Sequence, residues 1–335
     1  MKAMLLRETT LFQQNPAPLS FVDLPQPKIN NEEEVLIRIT ACGVCHTELD
    51  EIEGRIQPQL PIVLGHQVIG VIEEGKNVGQ RAGVAWIAFA CGHCQYCLSG
   101  NENLCTDFRA TGRDVNGGYA EYMKIRSDFV HPIPESFSDS EAAPLLCAGA
   151  IGYRSLRLSN IKDGQALGLM GFGGSNHLVL KIARHKYPNS QVFVFSRNLE
   201  ECEFAISLGA TWAGAIDQDP HEELDAVIDT TPAWGPVSEA LKSIKPGGRL
   251  VINAIRKEQA DKSVLMNLDY PSQLWMEKEI KSVANVTRQD VREFLQLAAE
   301  ANIKPEFQEY GLQDANHALL ELKQGKIHGA KVLKI

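Results

Sequence analysis

Residues 91 to 105 read CGHCQYCLSGNENLC, and no other stretch of the chain restricts its folding so tightly. Cysteines at 91, 94, 97 and 105 bring four thiols into one short segment. A deprotonated thiol is a soft ligand. Four of them at this spacing close a tetrahedral site around one zinc ion, with no position left for chemistry. The competing pattern, a pair of disulfides, needs an oxidising compartment. The opening MKAMLLRETT is too short and too polar for the apolar core of a secretion signal. The expectation is therefore a cytoplasmic protein with reduced cysteines, in which Cys91, Cys94, Cys97 and Cys105 hold a structural zinc.

A chain of 335 residues, 44% hydrophobic and 22% charged, is long enough for two globular domains, each with its own core. Lys and Arg total 33 against 42 Asp and Glu, a formal charge of -9, and no basic block is present. That balance disfavours a nucleic-acid partner, which needs clustered cations to meet phosphates. No apolar run has the length of a membrane span, so no membrane partner is expected either.

The N-terminal part alternates short apolar runs with Pro-rich turns such as NPAPLSFVDLPQPKI. VLIRIT, VIGVIEEG and RAGVAWIAFA then predict half-buried strands of a small β-rich domain. Near residue 148 the pattern changes. Apolar strands (QALGLM, QVFVF, DAVID, RLVINAI) alternate with helix-like segments, the signature of a parallel sheet covered on both faces. The last fifty or so residues hold two predicted helices and a terminal strand, AKVLKI. They are too few for a domain and are expected to return to the first one.

LGLMGFGGSNHLVLKIA is a strand, a glycine turn and a helix, the context of a dinucleotide fingerprint. Gly171, Gly173 and Gly174 would let backbone amides approach a pyrophosphate at the helix N-terminus. Asn176 stands where the strict pattern has its third glycine. The following strand runs into Ser196 and Arg197, where an NAD site usually places an acidic residue on the ribose 2′-hydroxyl. A hydroxyl and a cation there favour NADP(H) over NAD(H), unless Arg197 is only a solvated surface charge.

Cys45 in GVCHTE, His66 in LGHQV and Cys147 in PLLCAG each lie beside a glycine. Two cysteines and a histidine make three ligands and leave a fourth position open, as a catalytic zinc requires. Spacing alone does not assemble them, and a buried cysteine is by default a small core residue.

GVCHTEL, LGHQVIG, the Cys91 to Cys105 cluster, LLCAG and the glycine turn follow one another in the order and spacing of the zinc-dependent alcohol dehydrogenases of the medium-chain dehydrogenase/reductase superfamily. The resemblance covers essentially the whole chain. It implies an α/β protein made of a β-rich GroES-like catalytic domain (1–147 and 286–335) and a Rossmann domain with a doubly wound parallel sheet (148–285), with the active site in the cleft between them. Cys45, His66 and Cys147 match the catalytic zinc ligands, which makes two zinc ions per subunit. Thr47 matches the hydroxyl that meets the substrate alcohol and starts the proton relay, Glu48 a carboxylate behind the zinc, and His46 a residue beside the pyrophosphate. Trp86 and Ile56 match the substrate pocket. Asp50 takes the place of the relay's outer histidine, Gln67 replaces the glutamate of GHE, and Ile151 and Ala330 replace a threonine and an arginine that often meet the cofactor.

The implied reaction is reversible hydride transfer between a primary alcohol, aromatic ones included, and NAD(P). A polyol or secondary-alcohol dehydrogenase is the second reading, disfavoured by Trp86 and by a thiolate third ligand. An inactive NADPH-binding scaffold is the third, disfavoured by the complete ligand set and Thr47. The resemblance also implies a homodimer or homotetramer that meets through the outer strand of the cofactor domain. Cys42 and Cys202 are expected to be core thiols and His93 a solvated loop residue; His131, His177, His185, His221, His317 and His328 carry no motif.

Overall fold

The computed structural model describes residues 1–218, 220–325 and 329–335; His328, to which no role is assigned, lies outside them. The chain divides into two compact units, Met1–Ala150 with Val286–Ile335, and Ile151–Asn285.

The first unit is built on a mixed sheet around the long strand Glu34–Val44, which pairs antiparallel with Val68–Glu74, Tyr122–Arg126 and Ala330–Lys334. These three neighbours cover more of the strand than the half-buried pattern of VLIRIT predicts. Val35, Leu36 and Ile37 are all buried, and Arg38 reaches the surface to pair with Glu73. Within the Pro-rich opening, LSFVD forms a strand, Leu19–Asp23, because Lys2–Leu6 pairs with it along its whole length. That partner lies outside any local window of sequence. The returning C-terminal segment contributes two parallel strands, Phe307–Gly311 and Ala330–Lys334, and the helix Arg288–Glu300. Thr287 and Asp290 cap that helix reciprocally, each side chain bonding the other's backbone amide.

His131 lies in the edge strand Val130–Pro132 and is only 2% exposed. Burial, reinforced by Arg292 and Arg288, pushes its imidazolium down to about 3 from the ordinary 6.5. In the unfolded chain the ring regains its ordinary value. Its contribution to stability is therefore complete above about pH 6.5 and is lost as pH falls towards 3, at about 1.4 kcal/mol per pH unit. His131→Gln should flatten the acid limb of a stability–pH curve by that slope. Equal slopes for the two proteins in urea melts between about pH 6 and pH 4 would refute the assignment.

The second unit holds a six-stranded, wholly parallel sheet in the order Trp212–Gly214, Gln191–Phe195, Ala166–Met170, Leu224–Asp229, Ile244–Ile252, Glu279–Ser282. Ala166–Met170 is buried at every position, as a strand covered on both faces must be. Chain order runs outward in both directions from this first strand. The reversal places the switch point of a doubly wound sheet at its carboxyl end, where such folds bind ligands. Among the described residues, no helix is long and apolar enough to cross a membrane.

Candidate metal and dinucleotide sites

The strand Glu34–Val44 ends one residue before Cys45, and the short helix His46–Ile52 begins immediately after it. This turn presents the Cys45 sulfur and, 3.7 Å away, the Thr47 hydroxyl. His66 follows a glycine at φ +98°, in a region where a Cβ would run into the Tyr119 ring at 2.5 Å. Only glycine fits there, so the backbone turns inward at that point. Cys147 lies in a single π-helical turn, Leu145–Gly149, ahead of the helix Ala150–Ser159. The donor atoms of Cys45, His66 and Cys147 all lie within 4.8 Å of one another.

Glu48 binds the set from behind. One carboxylate oxygen is 2.6 Å from His66 Nδ1, and the other accepts the Cys45 N–H at 2.8 Å. With Nδ1 committed, Nε2 of the fully buried His66 is left without a hydrogen-bond partner. An orphaned imidazole nitrogen facing two sulfurs is costly in a metal-free protein and is what a zinc ligand set requires. The Cys147 thiol, donating to the Cys45 sulfur, holds Cys45 well below the ordinary thiol range, while that same bond and burial raise Cys147. The donor set and its support fit zinc.

The four-cysteine segment is also assembled. Cys91, Cys94, Cys97 and Cys105 lie within 4.8 Å of one another. The Cys91 and Cys97 sulfurs are 3.9 Å apart, close to the ~3.8 Å that a tetrahedron with 2.3 Å zinc–sulfur bonds produces. The His93 and Cys94 amides pull the Cys91 thiol down to about 6, whereas desolvation pushes Cys97 up to about 12. All eight cysteines are free thiols. His93 is exposed and its ring bonds the Cys91 carbonyl at 2.9 Å. Cys42 and Cys202 are buried core residues.

Other expected site residues are distributed as follows. Asp50 is buried and ion-paired with Arg55 at 2.6 Å, so its carboxylate is already engaged. His46 is exposed and Ile56 half-buried. Gln67 is buried, with its side chain over Gly43. Trp86 is buried with its ring 5.3 Å from Phe108, the Arg113 guanidinium over its face at 5.3 Å, and its indole N–H unpartnered. The motifs did not reveal Glu51. It is 1% exposed, both its carboxyl oxygens lack partners, and burial drives its carboxyl well above the usual range. Its position on the helix that starts at His46 was the only signal.

In the second unit, Gly171 has φ +77° and its N–H donates to the Phe195 carbonyl, which holds the glycine turn against the end of the next strand. A Cβ at Gly173 would meet nothing within 4 Å, so that face of the turn is open to an approaching ligand. Asn176 explains its place in the pattern. Its buried amide donates to the Met170 and Gly171 carbonyls and to Thr230 Oγ1, tying the helix Asn176–Lys186 to the turn, a task glycine has no side chain to perform. Ser196 is nearly buried and Arg197 exposed.

Residues 31–135 match the family described as the alcohol dehydrogenase GroES-like domain. A probable alcohol dehydrogenase, AdhA, of Mycobacterium tuberculosis is 40% identical over 90% of this chain and 89% of its own. An alcohol dehydrogenase of Geobacillus stearothermophilus is 34% identical over 98% of this chain and 99% of its own. The crystal structure of the alcohol dehydrogenase from the archaeon Aeropyrum pernix superposes with a TM-score of 0.85 at 24% identity, covering all of both chains.

Proposed function

From the premise that the chain belongs to the alcohol dehydrogenases of the medium-chain dehydrogenase/reductase superfamily, we propose that it interconverts primary alcohols, aromatic ones included, with their aldehydes, using NADP(H) in preference to NAD(H) and two zinc ions per chain. The observation that carries this reading is the convergence of Cys45, His66 and Cys147, with Glu48 orienting His66 and leaving its Nε2 for a metal. When bound, zinc supplies a Lewis acid that brings a hydroxyl's pKa towards neutrality, and the nicotinamide supplies the hydride acceptor.

The chain's own residues do the rest. Cys45, His66 and Cys147 would hold the first metal, and Cys91, Cys94, Cys97 and Cys105 the second. Glu48 keeps His66 in the tautomer whose Nε2 lone pair is available. Thr47 Oγ1, beside the Cys45 sulfur, accepts the hydrogen bond of the substrate hydroxyl and relays its proton, passing its own hydroxyl proton on to solvent as it takes up the substrate's. Asp50, held by Arg55, is a weaker candidate for the outer end of a relay than its sequence position suggests. Trp86 and Ile56 form the apolar wall of the substrate pocket, which suits an alkyl or aryl group better than a polyol. Gly171, Gly173 and Gly174 receive the pyrophosphate, and Arg197, next to Ser196 at the end of the following strand, attracts the 2′-phosphate.

A homo-oligomer is part of the same proposal. The edge strand Glu279–Ser282 is exposed along its length with Ile280 at 47%, an open edge suited to pairing across a two-fold axis. A monomer in sedimentation equilibrium would rule that out. The activity itself is tested by oxidation of NADPH and NADH with a panel of aliphatic and aromatic aldehydes, before and after zinc chelation. Chelator-sensitive turnover preferring NADPH is expected. Absence of turnover with every aldehyde, in protein carrying two zinc ions, would overturn the substrate reading.

A further inference from the structure

Ser196 does not offer a free hydroxyl. It leaves the strand Gln191–Phe195 next to the glycine turn, where the Gly171 N–H meets the Phe195 carbonyl at 2.8 Å. Its Oγ donates to Glu201 Oε2 at 2.5 Å and accepts the Asn198 N–H at 3.2 Å. Glu201 is half-buried in the first turn of the helix Leu199–Ser207 and reaches back to the strand end. The adjacent Arg197 is exposed and makes no ion pair among the described residues. An anion and a cation thus flank the position where the sequence pattern seats the ribose 2′ group of the dinucleotide.

We propose that Glu201, acting at this strand end, is a specificity-determining residue: its carboxylate accepts from the 2′-hydroxyl of NAD(H) and opposes the 2′-phosphate that Arg197 attracts. The inference rests on the dinucleotide reading of the glycine turn and narrows the NADP(H) preference drawn from Ser196 and Arg197. A 2′-hydroxyl can donate to a carboxylate, and a dianionic phosphate cannot. With the anion and the cation at the same strand end, the preference for NADP(H) remains but is held to within about ten-fold. The competing role is purely local. Asn198 caps the helix by accepting the Glu200 N–H at 2.9 Å, and an acidic residue in the first turn stabilises any helix there. That role affects stability but does not discriminate between nucleotides.

The test is calorimetric titration of the full-length protein with adenosine 2′,5′-bisphosphate and, separately, with AMP. Wild type, Glu201→Gln, Glu201→Ala and Arg197→Gln are compared. Neither zinc nor turnover enters the readout. Wild type should bind the two nucleotides within about ten-fold of each other. Both Glu201 variants should raise the preference for the bisphosphate by roughly ten-fold or more, and Arg197→Gln should lower it by a similar factor, the scale of one lost charge contact near a protein surface. An unchanged ratio in both Glu201 variants, with only a lower melting temperature, would leave Glu201 as a helix cap and overturn the proposal. If Arg197→Gln still shifts the ratio in that case, the cofactor reading survives. If no variant and neither nucleotide gives binding, the dinucleotide site itself fails and the proposal falls with it.

Discussion

Cys45→Ser should lower kcat/KM by roughly 10³-fold or more while leaving the melting temperature within a few degrees of wild type. Removing a single preorganised electrostatic donor from an active site already costs about 10²–10³. Cys45 is more than one donor: its sulfur belongs to the three-atom set with His66 and Cys147, and its N–H anchors the carboxylate that orients His66. A serine hydroxyl keeps the volume and the N–H, so the helix His46–Ile52 still starts in place. It is a poor zinc ligand, because its proton is not released near neutral pH as a thiol's is. Metal analysis should fall from two ions per chain to one, which separates loss of the catalytic ion from general unfolding. Wild-type turnover in this variant would remove the catalytic assignment of all three ligands.

Cys97→Ser should have the opposite profile, with stability lost first and activity only as a consequence. The segment from Cys91 to Cys105 buries little that would hold it without a metal. Its helix, Gln95–Leu98, has no buried residue, and Leu98 is 76% exposed. Binding of a structural zinc by four thiolates is coupled to folding and is worth about 10–16 kcal/mol in isolated zinc-finger peptides. Only part of that is felt by the whole unit, because the unfolded thiols also bind metal. The segment is tied to the body through Glu102, buried, which accepts from the backbone N–H of Arg288 at 2.9 Å and from its Nε at 3.1 Å. Melting the segment therefore loosens the start of the helix Arg288–Glu300. A loss of about 3 kcal/mol, or about 10 °C in melting temperature for a unit of this size, is expected, with a matching loss on chelation. An unchanged melting temperature in the variant would count against a metal-closed segment.

The local arrangements were legible because their partners are near in sequence. The four-cysteine segment, the strand–glycine–helix turn and the apolar strands of the parallel sheet are each specified within a short window, where spacing and hydrophobic period act directly. Leu19–Asp23 was harder to read, since a strand in a Pro-rich stretch depends on a partner that pairs with it, here Lys2–Leu6. The commitments of polar side chains were not legible either. Asp50 belongs to Arg55, Ser196 to Glu201, and Asn176 to the backbone of the glycine turn. Sequence position offers these groups several partners of similar reach, and only the packed backbone decides which are close and dry enough to bond.

By itself, then, the sequence determined which cysteines and histidine are candidate metal ligands, where the strand–glycine–helix turn lies and the alternation that makes one part of the chain β-rich and the other a parallel α/β sheet. The tertiary structure decided which distant groups share a site. Cys45, His66 and Cys147 come from a strand end, a glycine bend and a helical turn, and no periodicity links them. Their donor atoms lie within 4.8 Å of one another, a proximity that only the packing of the first unit brings about.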